Sequence, residues 1–271
     1  MRSLRPRRSL AAVSLGLLAA LTLTACGEDS ASEAGTGTRD DDRTVERAAN
    51  GEEISVAELE EVLATAFDVE SAAVEVTVDA GGMVVTQTGV VAFDPENPRM
   101  RLESEEAGEV LLVDGILYTS AGPGSGEFVA MDLDDPDNPF GATMSALTDP
   151  EASSAALTAA AVSVVALDPA DIDGGGAEAY RIVLDTAAMF EAVDAPELQQ
   201  LVDPDALPEE TVQTIVLDDQ GRVVRMVQEM PATDVTPEIT TTTTYSEFGV
   251  EVDVEAPADA IPFDEFAAQS L

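Results

Sequence analysis

The chain has no histidine, no lysine and no tryptophan; its 12 basic residues are all arginine, and its one cysteine is Cys26. Those absences remove histidine general bases, lysine Schiff bases and Cys/His zinc sites from consideration, and a single thiol forms no internal disulfide. Cations are scarce as well. Against 54 acidic residues the 12 arginines leave a net charge of −42, which argues against a nucleic acid partner and repels anionic headgroups. Solubility or a salty habitat accounts for such acidity; recruitment of a metal or a cationic partner is the other reading.

What the chain does have begins at its start. Arg2, Arg5, Arg7 and Arg8 precede an apolar run from Leu10 to Leu23, which ends in Leu23-Thr24-Ala25-Cys26. A basic opening, an apolar segment and small residues before a cut are the marks of an export signal. A cysteine directly after the cut is what lipoprotein maturation requires, with the thiol of Cys26 as the lipid attachment site. The run is shorter than the ~20 residues of a spanning helix, so residues 1–25 are expected to be removed as a signal peptide. Arg7-Arg8-Ser9-Leu10 leaves both ordinary secretion and twin-arginine export open. Loss of four arginines takes the net charge from −42 to −46. Acyl chains each add about 0.8 kcal/mol per buried methylene, so the expected location is the extracytoplasmic face of the cell membrane, held by a lipid anchor.

Residues 26–52 carry Gly35-Thr36-Gly37-Thr38 and Asp40-Asp41-Asp42 without any apolar period, the composition of a disordered acidic tether. As a flexible coil it would span roughly 25 to 30 Å. Residues 53–271 are expected to form one domain.

That domain opens on a helix, where Ser55 and Glu58 form a capping box and Val56, Leu59, Val62, Leu63, Ala66 and Phe67 make one apolar stripe. The period then changes to two. Val74, Val76 and Val78 alternate with polar residues, as do Met100 and Leu102, and Met83–Phe93 lies between as another strand. Glu109–Val113, Ile116–Thr119 and Glu127–Leu133 continue a meander through turns at Asp114-Gly115 and Gly122–Gly126. Two short helices are expected in residues 139–160, with Asp149 before Pro150 as a cap. Strands resume at Val162–Leu167 and Ala179–Leu184, and short helices follow at Ala187–Val193 and Glu197–Val202. Val212–Leu217 and Arg222–Met230 flank Asp218-Asp219-Gln220-Gly221 as a hairpin. Ile239–Tyr245 is a threonine-rich strand, and Val250, Val252 and Val254 alternate with acids as a last one.

The succession Val113-Asp114-Gly115-Ile116-Leu117-Tyr118, Tyr180-Arg181-Ile182-Val183-Leu184, the hairpin Ile215–Met226, and Tyr245-Ser246-Glu247-Phe248-Gly249 running into Val254-Glu255-Ala256-Pro257 resembles the actinobacterial LppX/LprG-type lipoproteins of the LolA/LolB-like superfamily. That resemblance covers about Ser55 to Leu271. It implies an α+β fold, a strongly curved antiparallel β half-barrel of about 10–11 strands with helices covering the concave face. It further implies an apolar cavity for acyl chains, and a carrier of lipid or lipoglycan in the cell envelope with no catalytic residue. The chain departs from the pattern in lacking tryptophan, with Phe128 where a bulkier ring belongs, and in its acidity.

Inward members of the alternating strands are the candidate ligand-pocket residues: Val76, Val78, Met100, Leu102, Ile182, Ile215, Met226 and Val254. Two flexible thioethers suit variable chains. Periodicity alone leaves open whether that face is filled or hollow, and a slip of one residue on any strand would invert its assignment. Asp132, Asp134, Asp135, Asp137 and Asn138 offer clustered oxygens, but an EF-hand's glycine and bidentate glutamate are out of place, and a solvated loop is the plainer reading. Gly81-Gly82 and Gly122–Gly126 lack the lysine context of a phosphate loop and read as turns. Paired carboxylates for glycoside hydrolysis are uninformative in so acidic a chain. No enzyme activity, metal or cofactor is expected. A lipid-binding lipoprotein leads; the alternative is a surface sensor or accessory subunit that binds a membrane protein partner and carries no lipid cargo.

Overall fold

A computed structural model of the chain describes residues 51–66, 69–94, 97–133, 150–168, 177–192, 207–263 and 265–266. The export signal, Cys26, the tether as far as Asn50, the acidic residues 134–138, the helix expected at Glu197–Val202 and the cap at Asp149 lie outside these residues; Gly51 and Glu52, expected to end the tether, are instead tied to the domain, the Gly51 N–H donating to Ala166 O at 2.8 Å and Glu52 O accepting the Ala166 N–H at 2.9 Å.

The chain order is α1 (Val56–Ala66), β1 (Ser71–Ala80), β2 (Met83–Ala92), β3 (Arg99–Ser104), β4 (Gly108–Val113), β5 (Ile116–Ser120), β6 (Phe128–Asp132), α2 (Pro150–Ala160), β7 (Ala161–Leu167), β8 (Glu178–Asp185), α3 (Thr186–Ala192), β9 (Glu210–Leu217), β10 (Val223–Met230), β11 (Ile239–Ser246) and β12 (Ile261–Pro262). The twelve strands among the described residues form one sheet in the order β12-β6-β5-β4-β3-β2-β1-β11-β10-β9-β8-β7. Every pairing is antiparallel except β12 with β6. The sheet does not close, since β12 and β7 are its two edges. The described residues thus make a mostly β fold with few helices, an open sheet that departs from the expected antiparallel half-barrel in the short parallel β12–β6 pairing.

Local chemistry sets these elements. At the start of α1 the Ser55 hydroxyl accepts the Glu58 N–H at 3.2 Å while Glu58 Oε2 accepts the Ser55 N–H at 2.7 Å, a reciprocal capping box. The side-chain and backbone hydrogen bonds from Ser55 hold the Glu58 carboxyl below its ordinary range. Ala80 faces Met83 across Gly81 and Gly82, whose φ values of 62° and 89° are those a two-residue hairpin demands and glycine supplies cheaply. Asp79 Oδ1 accepts the Gly82 N–H at 2.8 Å. A closer approach occurs at Gly89, where any Cβ would run into the carbonyl of Arg101 on β3.

One expected strand is absent. After β11 the chain turns through Glu247 (φ 48°) and Gly249 (φ 82°), pinned by the Gly249 N–H to Ser71 O at 2.9 Å and the Ser71 hydroxyl to Val250 O at 2.6 Å. Both neighbours of β11 are already taken by β1 and β10. Residues 250–260 therefore pair with no strand; they lie against one face of the sheet and end in β12 beside β6.

The two faces of the sheet bury different cores. On one, Ala72, Val74, Val76, Met100, Leu102, Leu112, Leu117, Val164, Tyr180, Ile182, Ile215, Met226 and Tyr245 join Leu59, Leu63 and Ala66 of α1 in a single apolar cluster. On the other, Val252 and Val254 of the crossing segment pack with Ala92, Leu111, Val113 and Tyr118. The first is called the inner face below and the second the outer.

Candidate functional site

Pairing registers place the inner face residue by residue. One row crosses the sheet as Gln87, Val76, Thr243, Met226, Ile215 and Tyr180; the next runs Val85, Val78, Thr241, Gln228, Gln213 and Ile182. Seven of the eight residues expected to line a pocket, namely Val76, Val78, Met100, Leu102, Ile182, Ile215 and Met226, belong to this cluster. Val254 does not. It packs on the outer face with Leu111, Val113 and Tyr118, because its segment crosses that face and is not a strand of the inner ladder.

Burial changes along the inner face. Near the end where β1 begins, Ala72, Val74 and Val76 are buried together with Leu59 and Leu63 of α1. This helix enters beside β7, where the Ile54 N–H donates to Val164 O at 3.0 Å, and leads to β1. Near the opposite end, at the β1–β2 hairpin and the β10–β11 loop, cover is incomplete: Val78, Val85, Met230 and Ile239 are half-buried and Met83 is 64% exposed. Just beyond them Val84 and Val235 stand out, 54% and 72% exposed. Gly81 N–H to Glu238 O at 3.0 Å ties the hairpin to that loop.

Charge is distributed as unevenly as burial. Arg99, Arg101, Arg181 and Arg225 all occupy the alternate, outward register of their strands, and Arg222 sits in the β9–β10 turn. Among the described strands the one charged residue in the inner register is Glu178, whose Oε2 accepts the Tyr180 hydroxyl at 3.0 Å. Burial pushes the Tyr245 phenol well above its ordinary pKa, so it stays neutral. Apart from Glu178 at its margin, the inner register of the described strands is thus apolar, with uncharged amides and hydroxyls among it.

Those amides and hydroxyls had not been singled out from the sequence. Gln87, Gln213, Thr211, Thr241 and Thr243 are all buried on this face, between 0% and 8% exposed. Their signal was one of parity: Thr211 and Gln213 share a register with Ile215 and Leu217. Both faces of β9 carry apolar residues, which hides the pattern.

No protein-family model and no curated protein matches the chain. Two solved structures with a likeness to it are a DUF1329 family protein from Desulfovibrio piger and an outer membrane lipoprotein-sorting protein domain from Vibrio parahaemolyticus. The first is 10% identical over 74% of this chain and 92% of its own, with a TM-score of 0.30. The second is 7% identical over 73% and 94%, with a TM-score of 0.28. Likenesses this remote carry no argument, and the functional reading rests on the sheet itself.

Proposed function

We propose that this protein is a lipoprotein of the LolA/LolB-like kind, anchored outside the cytoplasm through Cys26, that shelters lipid acyl chains between the inner face and helices α1–α3. Its task is transfer or retention of lipid or lipoglycan in the cell envelope, with no catalytic step. The observation that carries this is the inner face: apolar across its strands, buried in one cluster with Leu59 and Leu63 of α1, and only half-buried or exposed at the β1–β2 hairpin. A ten-residue strand such as β1 is about 33 Å long, more than the ~15 Å that half a bilayer's hydrocarbon core offers an acyl chain. Removing hydrocarbon from water at roughly 25 cal/mol per Å² is the driving force. The anchor would hold the domain at its membrane while the tether lets it tilt.

The test is native mass spectrometry of the Cys26→Ser chain, exported but not acylated, purified from its own host without detergent. Bound lipid is expected. Repeated recovery of empty protein that also refuses a fluorescent acyl probe would overturn the reading.

A second reading takes its support from the exposed tip of Met83, Val84 and Val235, which suits contact with another protein as an exposed apolar patch does. A sensor or accessory subunit would crosslink in the host to one membrane protein in fixed stoichiometry and would copurify without lipid.

A further inference from the structure

We propose that Met83 is an oxidation site, and that a peroxide, by turning its thioether into a sulfoxide, weakens acyl-chain uptake at the β1–β2 hairpin. The effect on uptake rests on the acyl-chain reading; the site itself does not. The residue inventory limits what a mild oxidant can attack. The chain has no histidine and no tryptophan, and Cys26 is its one thiol, so once Cys26 is acylated methionine sulfur is the most readily oxidised group left. The phenols are shielded, with Tyr118, Tyr180 and Tyr245 at most 7% exposed. Among the described methionines, Met100 and Met226 are 6% and 5% exposed and Met131, Met189 and Met230 are half-buried, whereas Met83 is 64% exposed. Its setting holds it there. The Gly82 N–H donates to Asp79 Oδ1 at 2.8 Å, the Gly81 N–H donates to Glu238 O at 3.0 Å, and the Thr233 N–H donates to Thr236 O at 2.9 Å to close the neighbouring loop. Exposure of this sulfur therefore belongs to the folded hairpin and awaits no local opening.

Register then sets what the oxidation changes. Met83 faces Ala80 on β1, Ala80 faces Ile239 on β11, and Ile239 faces Met230 on β10. This apolar row is the last of the inner face on β1 and β2 before the hairpin. In the reaction a sulfur lone pair attacks one oxygen of hydrogen peroxide; the S–O bond forms as the O–O bond breaks, sulfur gives up two electrons, and the second oxygen leaves as water. The product is polar where the thioether was apolar and flexible. Its oxygen accepts hydrogen bonds from water, and hydrocarbon laid along the row has to strip that water away without replacing the bonds. The same change at Met100 or Met226 would first require the core around them to open.

The test treats the Cys26→Ser chain, which carries no thiol, with hydrogen peroxide. Peptide mass spectrometry follows each methionine while a fluorescent acyl probe is titrated at intervals. Met83 should oxidise at least about ten-fold faster than Met100 and Met226. Probe affinity should fall about four-fold, the worth of one methylene's burial, in step with Met83 and before the urea-unfolding midpoint moves. Met83→Leu should keep its affinity through the same treatment, Met83→Gln should show the loss without peroxide, and methionine sulfoxide reductases should restore the oxidised chain. Oxidation of Met83 no faster than that of the two buried methionines overturns the site. Unchanged affinity with Met83 fully oxidised overturns the effect on uptake, and so does an equal loss in Met83→Leu. A chain that binds no probe before treatment overturns the acyl-chain reading instead, and the oxidation rates alone then decide the site.

Discussion

Ile182 and Met83 sit on the same face of the same sheet, yet Ile182 is 0% exposed and Met83 64%. The difference lies in what covers each. Strands β7 and β8 stand in contact with α1, α2 and α3, and α1 carries Leu59 and Leu63 into the same cluster as Val74 and Val76. Along the same cross-sheet row that holds Ile182, Val78 and Val85 lie beyond those contacts, so the apolar register goes on toward the β1–β2 hairpin while burial does not. An apolar stripe therefore reports which way side chains face, whereas the covering elements decide whether the face is filled. If the buried β8 side of the sheet is structural and the less buried β1–β2 hairpin functional, substitutions at the two should separate stability from binding.

Ile182→Ala should show the largest effect. Deleting three carbons at a fully buried site removes their transfer energy and leaves a cavity, together about 3 to 4 kcal/mol. Val78→Ala, half-buried at the open margin, should cost no more than about 1 kcal/mol while lowering acyl-probe affinity several-fold. Urea unfolding read alongside probe titration checks the pair. Similar stability losses at both positions would show that the open end is ordinary core.

Much of this arrangement could be read in advance from residues, and its failures have physical causes. Alternation located β1 through β11 to within two or three residues at each end, since a half-buried strand must place apolar groups every second position. The helix at Ser55, the hairpin at Asp218-Gly221 and the turn at Asp114-Gly115 carried their own capping and φ signals. Val250, Val252 and Val254 alternate just as a strand does, but alternation is silent about hydrogen-bonding partners, and β1 and β10 already occupy both sides of β11. The same gap hid β12, a two-residue parallel strand that exists because the crossing segment ends beside β6. The buried amides and hydroxyls escaped notice for a related reason: Gln213 and Thr243 acquire meaning only once register sets them beside Gln228 and Met226.

The crossing segment provides the middle test of the comparison, because it packs on the outer face while Leu59 and Leu63 of α1 cluster with the inner. Val252 and Val254 are each 9% exposed and pack with Leu111, Val113 and Tyr118. A Val252→Ala/Val254→Ala double variant should lose about 2 kcal/mol without changing probe affinity, since neither residue touches the inner face. A loss of binding equal to that of Val78→Ala would mean that Val254 acts on acyl-probe binding after all.

The smallest expected effect comes from Asp218, at the turn between β9 and β10. Its Oδ1 accepts the N–H groups of Gln220 and Arg222, both at 2.9 Å, and its Oδ2 accepts Arg222 Nε at 2.8 Å and Nη2 at 2.6 Å. Arg222 in turn lies 4.1 Å from the centre of the Phe248 ring, where the chain leaves the sheet to cross the outer face. Partial burial pushes this carboxyl's pKa up, but the hydrogen bonds from Arg222 and Gln220 and the guanidinium charge outweigh it and leave the pKa below its ordinary value. Because the folded pKa is the lower one, the charged carboxylate favours folding above the unfolded pKa near 4; that contribution fades as pH falls through the folded value. Asp218→Asn should therefore cost about 1 kcal/mol at pH 7 and progressively less below pH ~4. Urea midpoints of the two proteins, compared at pH 7 and pH 3, should converge at the lower pH. A gap that stays constant would assign the effect to turn geometry and not to the charge.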